Sequence, residues 1–374
     1  MLLIHANYLD ENFELVQGDI EIQDGKILRV GKDLPRKDED LAVDCSGNYT
    51  VVPGFVDVHI HGCAGADTCD GTREAMEAMA KFLLQHGVTS FCPTTMTIGR
   101  EVIEKALLAA KDAMDHPVED GARVVGVNME GPFISKERKG AQKEEDIVAP
   151  DFSMFRELWD LCGGIIRLVD VAPEQPGGME FIQQAKELCT VSIAHTTADY
   201  DQAIAAFDQG ITHATHLFNA MNGIHHRKPG VVGAVMDDDR VRGELICDGF
   251  HIHPAVLRMA FRVLGDRALI VSDSMRANGM QEGDSYDLGG QMVQVSGGKA
   301  VLADGTIAGS VSNLHQEVKN LVAYGVPFAQ AVKSASLIPA KAIGLDHEIG
   351  SIAPGKRADL LVLDENLDIT AVYH

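Results

Sequence analysis

A chain of 374 residues, 45% of them hydrophobic, suffices for two ordinary domains or for one barrel-sized domain with an appendage. Its 32 basic and 55 acidic side chains leave a formal charge of −23, which repels nucleic acid and anionic membranes, so neither is an expected partner. No apolar run approaches the ~18 residues of a membrane span. The seven cysteines form no CxxC pair, so reduced thiols in a cytoplasmic protein are the expectation.

The opening Met1-Leu2-Leu3-Ile4-His5 lacks a basic leader and reads as a first strand. Residues 19–23 and 26–30 flank Asp24-Gly25, a dipeptide suited to the positive φ angles of a tight hairpin. Apolar runs with a buried-strand look follow at 56–61, 90–94, 124–129, 165–171, 191–195, 213–217, 243–247 and 268–273. Helical stretches lie between many of them: 72–86, stopped by Gly87, then 100–114, and 176–188, entered through proline. This alternation predicts an α/β chain built on a parallel (β/α)8 TIM-type barrel, typically ~250 residues, over residues 53–347. A doubly wound open sheet is the runner-up, but no GxGxxG opens a helix here. Residues 279–301 predict a β-hairpin beside the barrel mouth. The end of the chain, 356–364 and 369–373, again reads as short strands. Neither terminus can build a core alone, so 1–52 and 348–374 are expected to pair into one small β domain.

The strongest local signal is Asp57-Val58-His59-Ile60-His61. Residues two apart on a strand point the same way, so both imidazoles face one side and could share a metal ion. Glu130, His195 and Asp273 end later strands and His216 lies within one, where a barrel assembles its active site. A charged group at the end of an apolar strand is costly unless paired or metal-bound. Imidazole and carboxylate ligands suit zinc, iron or a similar divalent metal. His213 is three residues before His216 and, by strand alternation, is expected to face away in a structural role. His251, at a strand end, is a better substrate contact than His253. His225-His226-Arg227-Lys228 is a positive cluster in a very acidic chain, either a solvated loop or an anion site.

Pro53-Gly54-Phe55-Val56-Asp57-Val58-His59-Ile60-His61 and the later Gly350-Ser351-Ile352-Ala353-Pro354-Gly355-Lys356-Arg357-Ala358-Asp359-Leu360 resemble two signatures of the amidohydrolase superfamily. Within it, four segments resemble the N-acetylglucosamine-6-phosphate deacetylase family: Met129-Glu130-Gly131-Pro132-Phe133, Ala194-His195-Thr196, Thr215-His216-Leu217-Phe218-Asn219-Ala220-Met221 and Ser272-Asp273-Ser274-Met275. The resemblance covers nearly the whole chain. It implies a β-sandwich built from both chain ends, a homodimer, and metal-dependent removal of the acetyl group from N-acetyl-D-glucosamine 6-phosphate. It implies Glu130, His195 and His216 as ligands of the principal divalent metal, His59 and His61 as holders of a second, and so one or two ions per subunit. Asp273 is the implied general base and acid. Asn219, Ala220 and Arg227 match phosphate-binding positions, the arginine reaching across the dimer. His251 matches a contact to the sugar and its amide, and Ile307 a residue packed on the acetyl methyl. Gln142 stands where some relatives carry a substrate-binding histidine. The competing expectations are a cyclic amidase or deaminase of the same superfamily, against which Arg227 speaks, and a non-catalytic barrel, against which the retained ligands speak.

Overall fold

Nine strand segments run parallel in one sheet and make the eight staves of a barrel. In chain order these are Phe55–Ile60, Val88–Thr95, the interrupted pair Arg123–Val124 and Val127–Met129, Ile166–Val171, Thr190–Ile193, His213–Ala214, Arg242–Leu245 and Ala268–Ile270. The structure is a computed structural model that describes residues 1–36, 41–281, 283–288, 291–296, 299–303, 305 and 307–374. The first and eighth staves meet at their carboxyl ends. There Asp273 N donates to His59 O and His61 N to Ser274 O, both at 2.9 Å. Ser272 N also reaches the Asp57 carboxylate at 3.4 Å. Barrel closure therefore brings the HxH segment and Asp273 together.

The outer layer begins with Arg73–Gln85, whose N-cap Thr72 accepts from Ala75 N, and Arg100–Asp115. Tyr200–Gln209 opens on a capping box of Asp199 and Gln202. Apolar residues of these helices, such as Met76, Leu83, Ile103 and Phe207, share one buried cluster with Phe55, Phe91, Val169 and Ile193 of the staves. Among the described residues no helix is long and apolar enough to cross a membrane.

Both chain ends meet in a second sheet. Its strands run in the order Ile369–Tyr373, Leu360–Leu363, Thr50–Pro53, Leu2–Leu9, Leu15–Gln23, Lys26–Gly31, and Ala42–Asp44 also pairs with Leu2–Leu9. Leu3, Ile20, Ile27, Val51 and Leu360 fill a separate core there. The hairpin at Asp24-Gly25 has the positive φ angles, 51° and 70°, that its sequence suits.

The stretch expected to hold a hairpin is larger. Ser285–Leu288, Gln291–Ser296, Lys299–Leu302 and Ile307–Gly309 form a four-stranded antiparallel sheet. Its last strand leads back to the barrel, where Ser310 bridges to Ser274. Val293, Val295 and Tyr286 pack on Met96 and Met275, which places this sheet over the barrel mouth.

Candidate active site

Two side chains expected at stave ends, His195 and Asp273, and one expected within a stave, His216, have φ of 42°, 43° and 30°. These values lie in the left-handed region, uncommon for non-glycine residues and concentrated at functional sites. Each strand breaks just before its functional residue, which is why the observed strands stop short of the apolar runs. Glu130 is turned in by Gly131, whose own φ is 80°. A Cβ at Gly131 would lie 2.0 Å from Thr97 Oγ1, so only glycine lets the chain pass here.

The Glu130 Oε1 atom lies 2.9 Å from His195 Nε2 and 3.0 Å from His216 Nε2, and the two nitrogens are 3.1 Å apart. Tetrahedral ligands about 2.0–2.1 Å from a zinc-sized ion would be roughly 3.3 Å apart, so this triangle has nearly the dimensions of one face of a tetrahedral coordination shell. On the other side, Glu130 Oε2 is 3.1 Å from His61 Nε2, which in turn is 3.4 Å from His59 Nε2. Glu130 thus belongs to two candidate ligand groups, one with His195 and His216 and one with His59 and His61. Asp273 Oδ1 stands 3.5 Å from His59 Nε2 and 3.4 Å from His61 Nε2.

The outer nitrogens decide whether a cation fits. His195 Nδ1 faces Arg138 O at 2.7 Å and His61 Nδ1 faces Thr94 O at 3.2 Å. A carbonyl only accepts, so each Nδ1 carries a proton, and in the neutral form of either ring the lone pair sits on Nε2 and points inward. His59 Nδ1 faces the Glu244 carboxylate at 2.9 Å, with the same consequence. Lone pairs and carboxylates converging without a bound positive charge would repel one another, so the donor set fits a divalent cation.

Electrostatics agree. Burial pushes the Glu130 carboxyl up, but hydrogen bonds with His195, His216 and His61 outweigh it and hold it well below the usual range. Burial likewise acts to raise Asp273, and the His59 and His61 imidazoles bring it below its ordinary value. Burial disfavours charge on His61, yet hydrogen bonds with Asp273 and Glu130 lift it to about 10. The pocket demands positive charge.

A cavity of about 350 Å³ opens over this cluster. His61, Glu130, Gln142, His195, His216, Asn219, Ala220, His251 and Asp273 line it. His59 lies behind it, fully buried. The Gln142 amide, expected to touch substrate, is already engaged: its oxygen accepts from Thr97 N at 2.8 Å and its nitrogen donates to Glu130 Oε2. His251 Nδ1 is held by Asp248 Oδ2 at 2.7 Å, which leaves Nε2 as the ring's other nitrogen on a residue that lines the cavity. Asn219 folds back on His216 O through its backbone at 2.9 Å and its side chain at 3.3 Å. Arg227 is not brought to this cavity within one chain. It is exposed and lines a neighbouring recess with Tyr200, Asn222 and Lys228. Ile307 begins a strand paired with Val301, but its side chain lies outside the described residues.

Two residues escaped the sequence reading. Glu244 sits inside the run read as apolar strand 243–247, and that lone acid was the available signal. It also changes the reading of His213. The sixth stave ends at Ala214, so alternation does not carry to His216, and His213 turns instead to Glu244 Oε1 at 2.8 Å. Asp248, the partner of His251, carried no sequence signal beyond its place at a strand end.

The amidohydrolase family profile matches residues 50–373. The chain is 36% identical over 374 residues to N-acetylglucosamine-6-phosphate deacetylase of Bacillus subtilis (strain 168), covering 99% of this chain and 94% of that one. It is also 36% identical to N-acetylgalactosamine-6-phosphate deacetylase of Escherichia coli O157:H7, covering 100% and 96%. Among solved structures, N-acetylglucosamine-6-phosphate deacetylase from Pasteurella multocida superposes with a TM-score of 0.93 at 31% identity, covering 99% of this chain and 97% of that one. A Mycobacterium smegmatis deacetylase variant in complex with N-acetyl-D-glucosamine-6-phosphate gives 0.91 at 34%, covering 100% and 97%. With this likeness spanning barrel, site and both termini, the chain belongs to the amidohydrolase family and, within it, to the N-acetylglucosamine-6-phosphate deacetylase branch.

Proposed function

We propose that this chain hydrolyses the acetamido C–N bond of N-acetyl-D-glucosamine 6-phosphate, giving D-glucosamine 6-phosphate and acetate. The observation that carries the reading is the meeting of Glu130, His195 and His216 donor atoms 2.9–3.1 Å apart, on the same cavity as Asp273. Amidohydrolases are metal-dependent. Glu130, His195 and His216 would hold the principal divalent ion, and His59 and His61, with Glu130, a second; zinc and iron suit these donors. When bound, such an ion acidifies water and polarises a carbonyl oxygen.

The rest falls to the chain's own groups. Asp273, held ionised by the imidazoles beside it, takes a proton from the water that attacks the acetyl carbonyl carbon. It returns that proton to the amide nitrogen as the C–N bond breaks, leaving acetate and a free amine. Asp248 fixes the His251 ring so that Nε2 addresses the amide. Gln142 steadies Glu130 at the cavity wall. Asn219 and Ala220 receive the phosphate, and Arg227 of one protomer of a homodimer reaches the phosphate in its partner. In a chain of net charge −23, the loop from His225 to Lys228 supplies the local attraction that an anionic substrate needs. Ile307 packs on the acetyl methyl. Residues 1–52 with 348–374 act as one supporting unit and 53–347 as the catalytic barrel, in a cytoplasmic enzyme.

Acetate release from N-acetylglucosamine 6-phosphate, before and after chelation and restoration with zinc or iron, tests the reading. Activity lost on chelation and regained with metal supports it. No acetate under any metal condition sinks it. The Escherichia coli N-acetylgalactosamine relative is equally similar at 36%, so the C4 epimer belongs in the same assay, with unphosphorylated sugar as control.

A further inference from the structure

Beneath the cation centre lies a side chain to which neither the mechanism above nor the family likeness gives a part. Glu244, on the seventh stave, is fully buried yet carries a carboxylate. A buried charge survives only when its oxygens are well paired, and these are. Oε2 accepts from His59 Nδ1 at 2.9 Å and from His216 N at 3.1 Å, while Oε1 faces His213 Nε2 at 2.8 Å. Its backbone contributes as well, because Leu217 N donates to Glu244 O at 2.8 Å. The left-handed turn at His216 is therefore gripped on both sides by one residue.

We propose that Glu244 is the positioning residue of the second cation site: its carboxylate orients His59 and makes that ring the stronger donor, so that the His59–His61 half of the centre takes up an ion. The inference rests on reading these side chains as a metal centre and is independent of the substrate.

The asymmetry among the imidazoles supports it. His61 and His195 lean on neutral backbone carbonyls, Thr94 O and Arg138 O. His59 alone among the three leans on a carboxylate. A carboxylate on Nδ1 raises the basicity of Nε2 as well as fixing the ring. His59 also has need of such help. It is fully buried behind the cavity wall, where no substrate group can hold it. Glu244 spans the barrel interior from the seventh stave to the first, tying His59 to the turn that presents His216.

Glu244→Gln tests the idea with little change of shape. The amide oxygen can still accept from His59 and His216, and the amide nitrogen can face His213, whose buried Nδ1 has no hydrogen-bond partner among the described residues. That ring can change tautomer to accept. Metal-free wild type and variant are titrated with Co²⁺ in the absence of substrate, following d–d absorption and ions per subunit, with thermal melting as the check on folding. Wild type is expected to bind two ions. In Glu244→Gln the first dissociation constant should stay put while the second rises about 10–100-fold. Glu244→Leu should lose the second ion outright. Three outcomes overturn the proposal: a wild type that takes one ion only, a Gln variant with both constants unchanged, or one in which both weaken equally, as a purely structural role would give. If two-ion binding follows the expected pattern but no acetate is released, the substrate reading fails and this one stands.

Discussion

Replacing Asp273 by asparagine separates chemistry from architecture. Asparagine tolerates the left-handed backbone that Asp273 adopts at φ 43°. The main-chain clamps, Asp273 N to His59 O at 2.9 Å and Ser310 N to Asp273 O at 3.0 Å, do not involve the side chain. Asp273 approaches the nearest imidazole nitrogens no closer than 3.4 Å, against 2.9–3.1 Å within the Glu130 triangle, so the principal ion should stay bound. What disappears is the group proposed to accept and return a proton. Positioned proton transfer is typically worth ~10²–10⁴-fold, or about 2.7–5.4 kcal/mol at about 1.36 kcal/mol per decade. Steady-state acetate release should therefore show kcat down by that factor, with metal content and melting temperature close to wild type. Turnover within about tenfold of wild type, metal intact, would show that the proton passes through another group. Loss of the metal instead would recast Asp273 as a ligand.

Other perturbations separate the remaining roles. Gln142→Leu leaves Thr97 N without its acceptor and takes the amide donor from Glu130 Oε2, so a stability loss of about 1–3 kcal/mol and weaker metal binding are expected from denaturation and metal titration. Unchanged metal affinity would show that Gln142 does not steady Glu130. On the proposed phosphate contact, Arg227→Ala would remove charge-assisted bonds worth about 1.5–3 kcal/mol, so KM for the phosphorylated sugar should rise ~10–150-fold with kcat nearly constant. An equal effect on unphosphorylated sugar would refute the phosphate contact. Glu317 is fully buried with one oxygen on Cys247 N, and burial lifts its carboxyl well above the ordinary value. A raised folded-state pKa means the folded chain holds the extra proton, so this group's contribution is greatest in acid and falls as pH climbs above about 4.5 towards the folded value. Glu317→Gln should gain stability relative to wild type as pH rises, read from urea midpoints across that range. A difference that does not vary with pH would show that Glu317 does not titrate in this way.

How much of this was legible beforehand depends on the range of the interaction concerned. Each stave was written as an apolar run, and three of the outer helices as helical stretches, one of them stopped by Gly87, because these are contests among near neighbours. The chemistry-bearing residues could be picked out because a Glu, His or Asp ending an apolar strand has few other reasons to be there. Only the folded chain decided how they meet. Closure between the first and eighth staves set Asp273 beside His59 and His61, which precede it by more than two hundred residues. The left-handed turns at His195, His216 and Asp273 cut the strands short and broke the alternation on which the reading of His213 depended. Above all, the sequence offered Glu244 as one acid in an apolar strand and Gln142 as a substitute for histidine. Their partners, His59, His213 and the His216 backbone for one, Glu130 and Thr97 for the other, are set by long-range packing. Local pattern fixes which side chains face inward, whereas pairing across a barrel is decided only when distant strands share an interior too small to leave a charge unanswered.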